Sequence, residues 1–473
     1  MGDSVNRTSA PPFHRFTSSS SPPPVSSLLH PTPSVLDIAA KLEAAGFEAW
    51  CVGGAIRDAL LGGAPLDWDL ATRATPEQVR AIFGRRRTIP VGIDFGTVSV
   101  LDDEGVHHEI TTFRRDVQTD GRHAVVEFGA SLEEDLARRD FTINAIAYRP
   151  KTDELRDPFG GRADIERGIV RAVGDAEERM REDRLRALRA IRFASRYGFA
   201  IEPATLAAIR SSAPHLTRLS HERVQQELVK TMEQVRHPSH ALRVWRDVGA
   251  LGVLVPALAG LDDVALSTLD ELPRAEEGAM FRPQRTPNRV AALFLDVPAA
   301  EVRRTLSALR FSKHDTRWVG AIVERWQMVG AEIGAALRAG PPSDSQVRRW
   351  LARVGRLHAG AFLRVALARW TTMARVGEPT PDAAAVRSLH RSMCRSLLRD
   401  PIELADLHLT GNDLRRAGIP AGPVYAKILN ALLERVLEEP ARNTPDALLA
   451  EVPAIVAALA GGGGTVVQPE SEP

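Results

Sequence analysis

The chain has 473 residues and a mass of 51.6 kDa, and at roughly 150 residues per domain it holds about three, which excludes a single small binding module. With 44% hydrophobic and 26% charged residues it is ordinary globular stock, so disorder throughout is excluded too. Sixty-one basic side chains against sixty acidic ones leave a net charge of +1, so a nucleic-acid partner has to be held by locally clustered charge.

Residues 1–34 are dominated by Ser, Pro and Thr without apolar periodicity, the pattern of a disordered tail. Between 35 and 165, strand-like runs (FEAWCVGG, DWDLAT, RRTIPV, GTVSVL, VHHEITTF) alternate with short helical ones (IRDALLG, PEQVRAIFG), which predicts an α/β domain on a mixed sheet. From about 170 onward helical periodicity prevails, as in DRLRALRAIRFASRYG, HERVQQELVKTMEQV and AKILNALLERVLEE. Pro and Gly near 256–260, 282–287, 340–342 and 378–381 mark breaks between helical groups, and 461–473 is expected to be a second disordered tail. The two cysteines, Cys51 and Cys394, lie too far apart for a disulfide framework and point to a reducing compartment. No run approaches the roughly 20 apolar residues of a membrane span. Lysine occurs only at 41, 151, 230, 313 and 427, so arginine supplies nearly all the basic charge, and a single arginine carries little weight as a signal.

Gly53-Gly54 falls where a strand ends and a helix begins, a place where backbone N–H groups can approach a phosphate, and Arg57 is one turn further on. Such turns are also common structural devices. Asp67-Trp68-Asp69 follows in a strand-like segment, and residues at i and i+2 of a strand share a face. Two hard carboxylate ligands on one face suit Mg²⁺, which keeps open positions for substrate phosphates and water. By itself the pair fits a solvated strand face or an Asp-capped turn better than a metal site. Glu109 in HHEITTF is a candidate third carboxylate. His107, His108 and His221 lack zinc-site spacing and are expected to be structural or solvated.

In order, GGxxRD, DxD, EDLARRDFTINAIA, REDRLRALRAIRF and HERVQQEL resemble the motifs of class II tRNA nucleotidyltransferases and bacterial poly(A) polymerases, within the polymerase-β-like nucleotidyltransferases. The likeness covers about residues 35–235, and DLHLTGNDLRRAGIPAGPVYAKILNALLERVLE resembles the C-terminal part of CCA-adding enzymes. The resemblance implies an α+β fold: a nucleotidyltransferase domain at 35–165, a helical neck at 166–260 that binds nucleotide and RNA, and a helical tRNA-binding body and tail at 261–460. Carried over residue by residue, it makes Asp67 and Asp69 the catalytic Mg²⁺ ligands, with Glu109 beside them. Gly53, Gly54 and Arg57 contact the triphosphate. Arg139, Asp140 and Asn144 hold ribose and phosphates, Asp183 and Arg186 recognise the base, and Arg189 and Arg192 extend toward the phosphates. Glu222, Arg223 and Glu227 match the motif that braces that helix.

Spacing is compatible with base recognition, since residues three apart are neighbours on a helix and an acidic acceptor beside an arginine fork matches the Watson–Crick edges of C and A. The same segment alone also fits a surface ion pair. Arg184 stands where relatives usually carry proline, and arginine is expected to continue the helix. Phe294-Leu295-Asp296 lacks the histidine of a phosphohydrolase site, so no such activity is expected. The implied activity is template-independent addition of C and A to the tRNA 3′ end from CTP and ATP, in the cytoplasm, with the acceptor arm gripped through phosphates. The alternatives are a CC-adding or A-adding enzyme, a poly(A) polymerase, and a catalytically inactive RNA-binding protein. IPVGIDFGTVSVL and DVQTDGRHAVVEF resemble the CCA branch, and the unshortened loop from Arg114 to Phe128 favours the final A. Oligomeric state is not legible.

Overall fold

The computed structural model describes residues 28–65, 67–92, 95–119, 124–272 and 284–461. It divides the chain into two compact units, Met1–Asp175 and Ala176–Pro473. The two expected tails fall mostly outside the described residues. At the boundary of the first, however, Leu29 is buried and a helix already starts at Pro33, so ordered chain begins before residue 35.

The first unit is α+β. Its strands are β1 (Ala49–Val52), β2 (Asp69–Thr72), β3 (Thr88–Ile89), β4 (Thr97–Leu101), β5 (His107–Thr112), β6 (Arg114–Thr119), β7 (Ala124–Phe128), β8 (Ala147–Arg149) and β9 (Glu154–Arg156). Seven of them form one sheet in the order β3-β4-β5-β2-β1-β8-β9, mixed because β2 and β5 are parallel while the other pairs are antiparallel. Helices α1 (Pro33–Ala44), α2 (Gly54–Leu60), α3 (Pro76–Phe83), α4 (Leu132–Ala137) and α5 (Gly161–Arg167) accompany it. Central β1 is buried throughout, which is why its sequence is an unbroken apolar run. β5 has a partner on each side but alternates, with His108, Ile110 and Thr112 inside and His107 and Glu109 outside. Trp50 and Val52 pack with Ala71, Phe113, Leu132, Leu136, Ala147 and Val173 in one core cluster. Capping boxes start α3 (Thr75 with Gln78) and α4 (Ser131 with Glu134).

Two expectations are corrected here. The domain continues past 165 to Asp175, because Val173 belongs to the core, Ala172 bridges to Phe141, and the Val173 N–H donates to the Asp140 carbonyl. Within the stretch from Arg114 to Phe128, β6 and β7 pair antiparallel rather than forming a plain loop, with a register shift between Asp116 and Gln118.

The second unit is mainly helical: α6 (Ala176–Glu182), α7 (Leu185–Tyr197), α8 (Pro203–Ser212), α9 (His221–Gln234), α10 (Pro238–Asp247), α11 (Ala250–Leu254), α12 (Asp263–Thr268), α13 (Arg285–Leu293), α14 (Ala299–Ala308), α15 (Lys313–Arg325), α16 (Ala331–Ala339), α17 (Asp344–Val354), α18 (Ala359–Arg375), α19 (Ala383–Arg399), α20 (Gly411–Arg416), α21 (Val424–Glu438) and α22 (Pro445–Gly461). Ser220, Ser312, Ser343 and Asp382 cap helix starts through side-chain oxygens. Gly340 stops α16 at a break the sequence predicts, whereas α13 begins at Arg285, inside another expected break. Phe294-Leu295-Asp296 lies just past α13, not in a helix, and Asp296 accepts a 2.7 Å bond from Arg369. Among the described residues no helix is long and apolar enough to cross a membrane.

Candidate active site

Trp68 organises the DxD segment. Its indole is 1% exposed and donates to the Pro65 carbonyl at 2.9 Å. With Trp68 turned inward, Asp67 and Asp69 on either side are both exposed, as residues two apart in extended chain should be. Asp67 lies just before β2, and Asp69 is its first residue. The antiparallel register sets Asp69 opposite Val52, the last residue of β1 before the Gly53-Gly54 turn. In the parallel pair Leu70 faces Ile110, so the same register carried one residue back brings Asp69 beside Glu109.

Electrostatics agree with that placement. Desolvation pushes the Asp69 carboxyl up to about 6, Asp67 and then Glu109 add to the rise, and Arg139 opposes it. Like charges crowding one carboxylate make a site that gains from a cation. Among the described residues no three ligating groups gather closely enough to form a metal cage. Asp67 and Asp69, with Glu109 alongside, would offer an open pair of carboxylates, which fits a Mg²⁺ ion that takes few protein ligands and leaves room for phosphate and water. Cys51, behind the site on β1, has its thiol pushed up to about 12 by burial and by Asp69, so it stays protonated.

Gly53 is required twice over. Its φ is +79°, and a Cβ there would lie 2.8 Å from Nη1 of Arg139. Arg139 thus lies against the glycine turn. It donates from Nη1 to the Asn144 carbonyl at 3.4 Å and from Nη2 to Asp135 at 3.5 Å, both long, while its buried Nε has no partner. Arg57 and Asn144, by contrast, are interior struts. Arg57 is 4% exposed and donates to the Asn144 side chain and, at 2.9 Å, to Asp58. Asn144 passes the chain on to Asp140 at 2.9 Å. Arg57 therefore supports the turn from inside, under Gly54, where a Cβ would meet its Nη2 at 3.3 Å. The Asp140–Asn144 segment is pinned by Thr142, which donates to buried Asp164 at 2.7 Å. It is also pinned by Gly161, whose missing Cβ would fall 2.1 Å from the Thr142 carbonyl oxygen.

In the second unit the expected continuous helix is broken. α6 ends at Glu182 and α7 starts at Leu185, with Asp183 and Arg184 in the break. Arg184 does not carry the helix through, because the Asp183 carboxylate accepts the Leu185 N–H at 3.0 Å and caps the new start. Asp183 and Arg186 are thus not on one helix, and each has its own partner. Asp183 accepts from Arg223 at 2.7 Å; Arg186 donates to Glu182 at 2.5 Å and to the Arg179 carbonyl at 3.0 Å. Arg192 is 3% exposed, bonded to Glu227 at 2.7 and 3.2 Å and to Gln234 at 3.0 Å. Its guanidinium is committed to α9, whereas Arg189 is half-buried with its guanidinium over the Phe193 ring. Arg223 and Glu227 brace the Asp183–Arg192 stretch. Sequence reasoning missed Glu182, Gln234 and Asp135. Asp135 is fully buried and holds Arg138, and its i,i+4 spacing to Arg139 is the one local signal for it.

Comparison with known proteins identifies the family. Residues 49–171 match the poly A polymerase head domain, and residues 198–261 match a probable RNA- and SrmB-binding site of polymerase A. The CCA-adding enzyme of Latilactobacillus sakei is 35% identical over 417 residues, 88% of this chain and 96% of that one. The CCA-adding enzyme of Geobacillus kaustophilus is 35% identical over 428 residues, 89% and 96% of the two chains. The crystal structure of the Bacillus stearothermophilus CCA-adding enzyme in complex with CTP is 31% identical, with a TM-score of 0.69 over 93% of this chain and all of that one. The chain belongs to the CCA-adding enzyme family and is a nucleotidyltransferase.

Proposed function

We propose that the protein completes the 3′ end of tRNA by adding C and A from CTP and ATP, with Asp67 and Asp69 as ligands for Mg²⁺. The observation that carries the reading is the register that sets Asp69 against the glycine turn, with the Arg139 guanidinium lying on Gly53. A triphosphate seated at the turn meets the backbone N–H of Gly54 and the under-bonded guanidinium of Arg139, while the Gly53 N–H is turned to the Ile146 carbonyl at 3.4 Å and holds the turn in place. Divalent cations bound by Asp67 and Asp69 supply neutralisation of the triphosphate and a lowered pKa for the terminal 3′-hydroxyl. Arg57, Asn144 and Asp140 keep the turn and the Arg139 segment in place, so the anion site needs no reorganisation when nucleotide arrives. Arg139 forms the ribose and phosphate side of the site, with Asn144 and Asp140 behind it as its supports.

Asp183 and Arg186 form the template. Arg223 fixes the Asp183 carboxylate and Glu182 fixes the Arg186 fork, so acceptor and donors are presented in fixed orientations, and a base offering an amino donor beside a ring acceptor satisfies both. C and A do so; U and G place a carbonyl where the carboxylate sits. Arg189 extends this surface, and buried Arg192 positions α7 rather than touching phosphate. The helical unit, including 261–460, binds the acceptor arm, and such a substrate places the enzyme in the cytoplasm.

The test offers the purified protein tRNAs ending before CCA, after C and after CC, with CTP and ATP, and sequences the products. Ordered completion to CCA supports the proposal. Extension of one class alone means divided CC and A addition, and long A tracts mean a poly(A) polymerase.

A further inference from the structure

Net charge near zero means that a grip on RNA has to come from a local excess of basic groups, and one helix has it. α19 carries Arg387, Arg391, Arg395 and Arg399 at four-residue intervals, all exposed, and has no acidic residue over its 17 positions. Its buried residues Val386, Leu389 and Met393 lie on the opposite side, so the arginines face solvent. Among the described residues none of the four is in an ion pair; Arg395 donates only to Ser392, at 3.0 Å. Several exposed arginines elsewhere in this unit are neutralised, Arg349 by Glu434 and Glu438, Arg353 by Glu332 and Arg435 by Glu451. Others outside any ion pair among the described residues, such as Arg210, Arg236 and Arg304, do not form a row of four on one helix face.

We infer that the outward face of α19 is a strip that docks the phosphate backbone of tRNA. The inference rests on the tRNA reading above and deepens it by naming the surface. Arginines four apart sit about 6 Å from one another along the axis, so the strip runs roughly 18 Å. That spacing is of the order of the distance between successive phosphates of one strand. Guanidinium forks suit phosphate oxygens, and leaving them unpaired in the free protein keeps them available. The only large apolar side chain exposed on α19 is Leu398, so the face lacks the apolar half that a membrane-surface helix buries.

The experiment compares the full-length protein with its R387Q/R391Q/R395Q/R399Q variant for binding to tRNA lacking CCA between about 50 and 200 mM salt. The strip predicts at least a tenfold loss of affinity, a salt slope shallower by about three to four, and unchanged kcat at saturating tRNA. Equal affinity and slope overturn it, as does a loss confined to binding of anionic phospholipid vesicles. The four residues are exposed and unpaired, so the thermal midpoint should not move. If it falls, R391Q and R395Q alone decide the matter, each losing about one from the slope or refuting the strip. Wild-type protein that adds no nucleotide to tRNA defeats the functional reading, whereas wild-type activity with a variant that binds equally well defeats only the strip.

Discussion

Two enclosed arginines, one in each unit, show how the same side chain is used in opposite ways. Arg192 in α7 is surrounded by acceptors: its fork donates two bonds to Glu227 and one to Gln234. Arg139, after α4, has two long bonds and a buried Nε without a partner, and desolvation lowers its pKa while Asp135, Asp140 and Asp69 work against that. A buried charge with its partners in place is structural, whereas the poorly satisfied one beside the glycine turn is, on the proposed reading, the anion contact. The difference lies in the counter-charges, not in the arginine.

The strongest test strikes the acidic side of the Arg139 site. Asp69→Ala should lower nucleotide incorporation by about a thousandfold or more while leaving tRNA binding intact, because the lost group acts on transition-state charge. Primer-extension rates beside filter binding measure both, and unchanged incorporation would end the metal assignment. Next, Glu227→Ala strands Arg192 in the interior and should cost about 3–5 kcal/mol in urea unfolding. Replacing both partners by apolar residues, Arg192→Met with Glu227→Leu, should recover most of that loss. Arg139→Met should do the reverse of Glu227→Ala: stability nearly unchanged, with kcat/KM for CTP and ATP down about a hundredfold. A large stability loss in Arg139→Met with normal kinetics would make the two arginines alike and dissolve the contrast.

How much of this was legible in the sequence follows from how local each signal is. Gly53-Gly54, Arg57, Asp67 and Asp69 sit within one strand-turn-helix-strand stretch, and the alternation around Trp68 already puts both carboxylates on one face. Arg57 looked like an anion contact because only its distance from the glycines was visible. Its burial against Asn144 depends on a partner 87 residues away. The break before α7 was hidden because arginine at 184 has good helix propensity, and the capping by Asp183 outweighs that preference. The Arg192–Glu227 pair, 35 residues apart, was visible only as a motif. β8 and β9 are three residues each and owe their strand form to pairing between β1 and β8 and between β8 and β9, so no period could announce them.

The smallest effect concerns a paired charge with no role in the chemistry. Asp102, at the β4–β5 turn, meets His108 at 3.0 Å and accepts the N–H groups of Val106 and Glu104 at 2.8 and 3.0 Å. The His108 bond, then the Val106 N–H, hold its carboxyl well below the usual carboxylate range. A carboxylate whose pKa is lower folded than unfolded stabilises the fold fully above the unfolded value, near 3.9, and loses that contribution as pH falls toward the folded value. Asp102→Asn keeps an acceptor but loses the charge, so wild type should be modestly more stable at pH 7, with the gap closing below about pH 4. Urea midpoints of both proteins at pH 7 and pH 3 measure it. A gap that widened on acidification would mean that the turn is held by the neutral acid, and Asp102 would then belong with the under-bonded charges rather than with the satisfied ones.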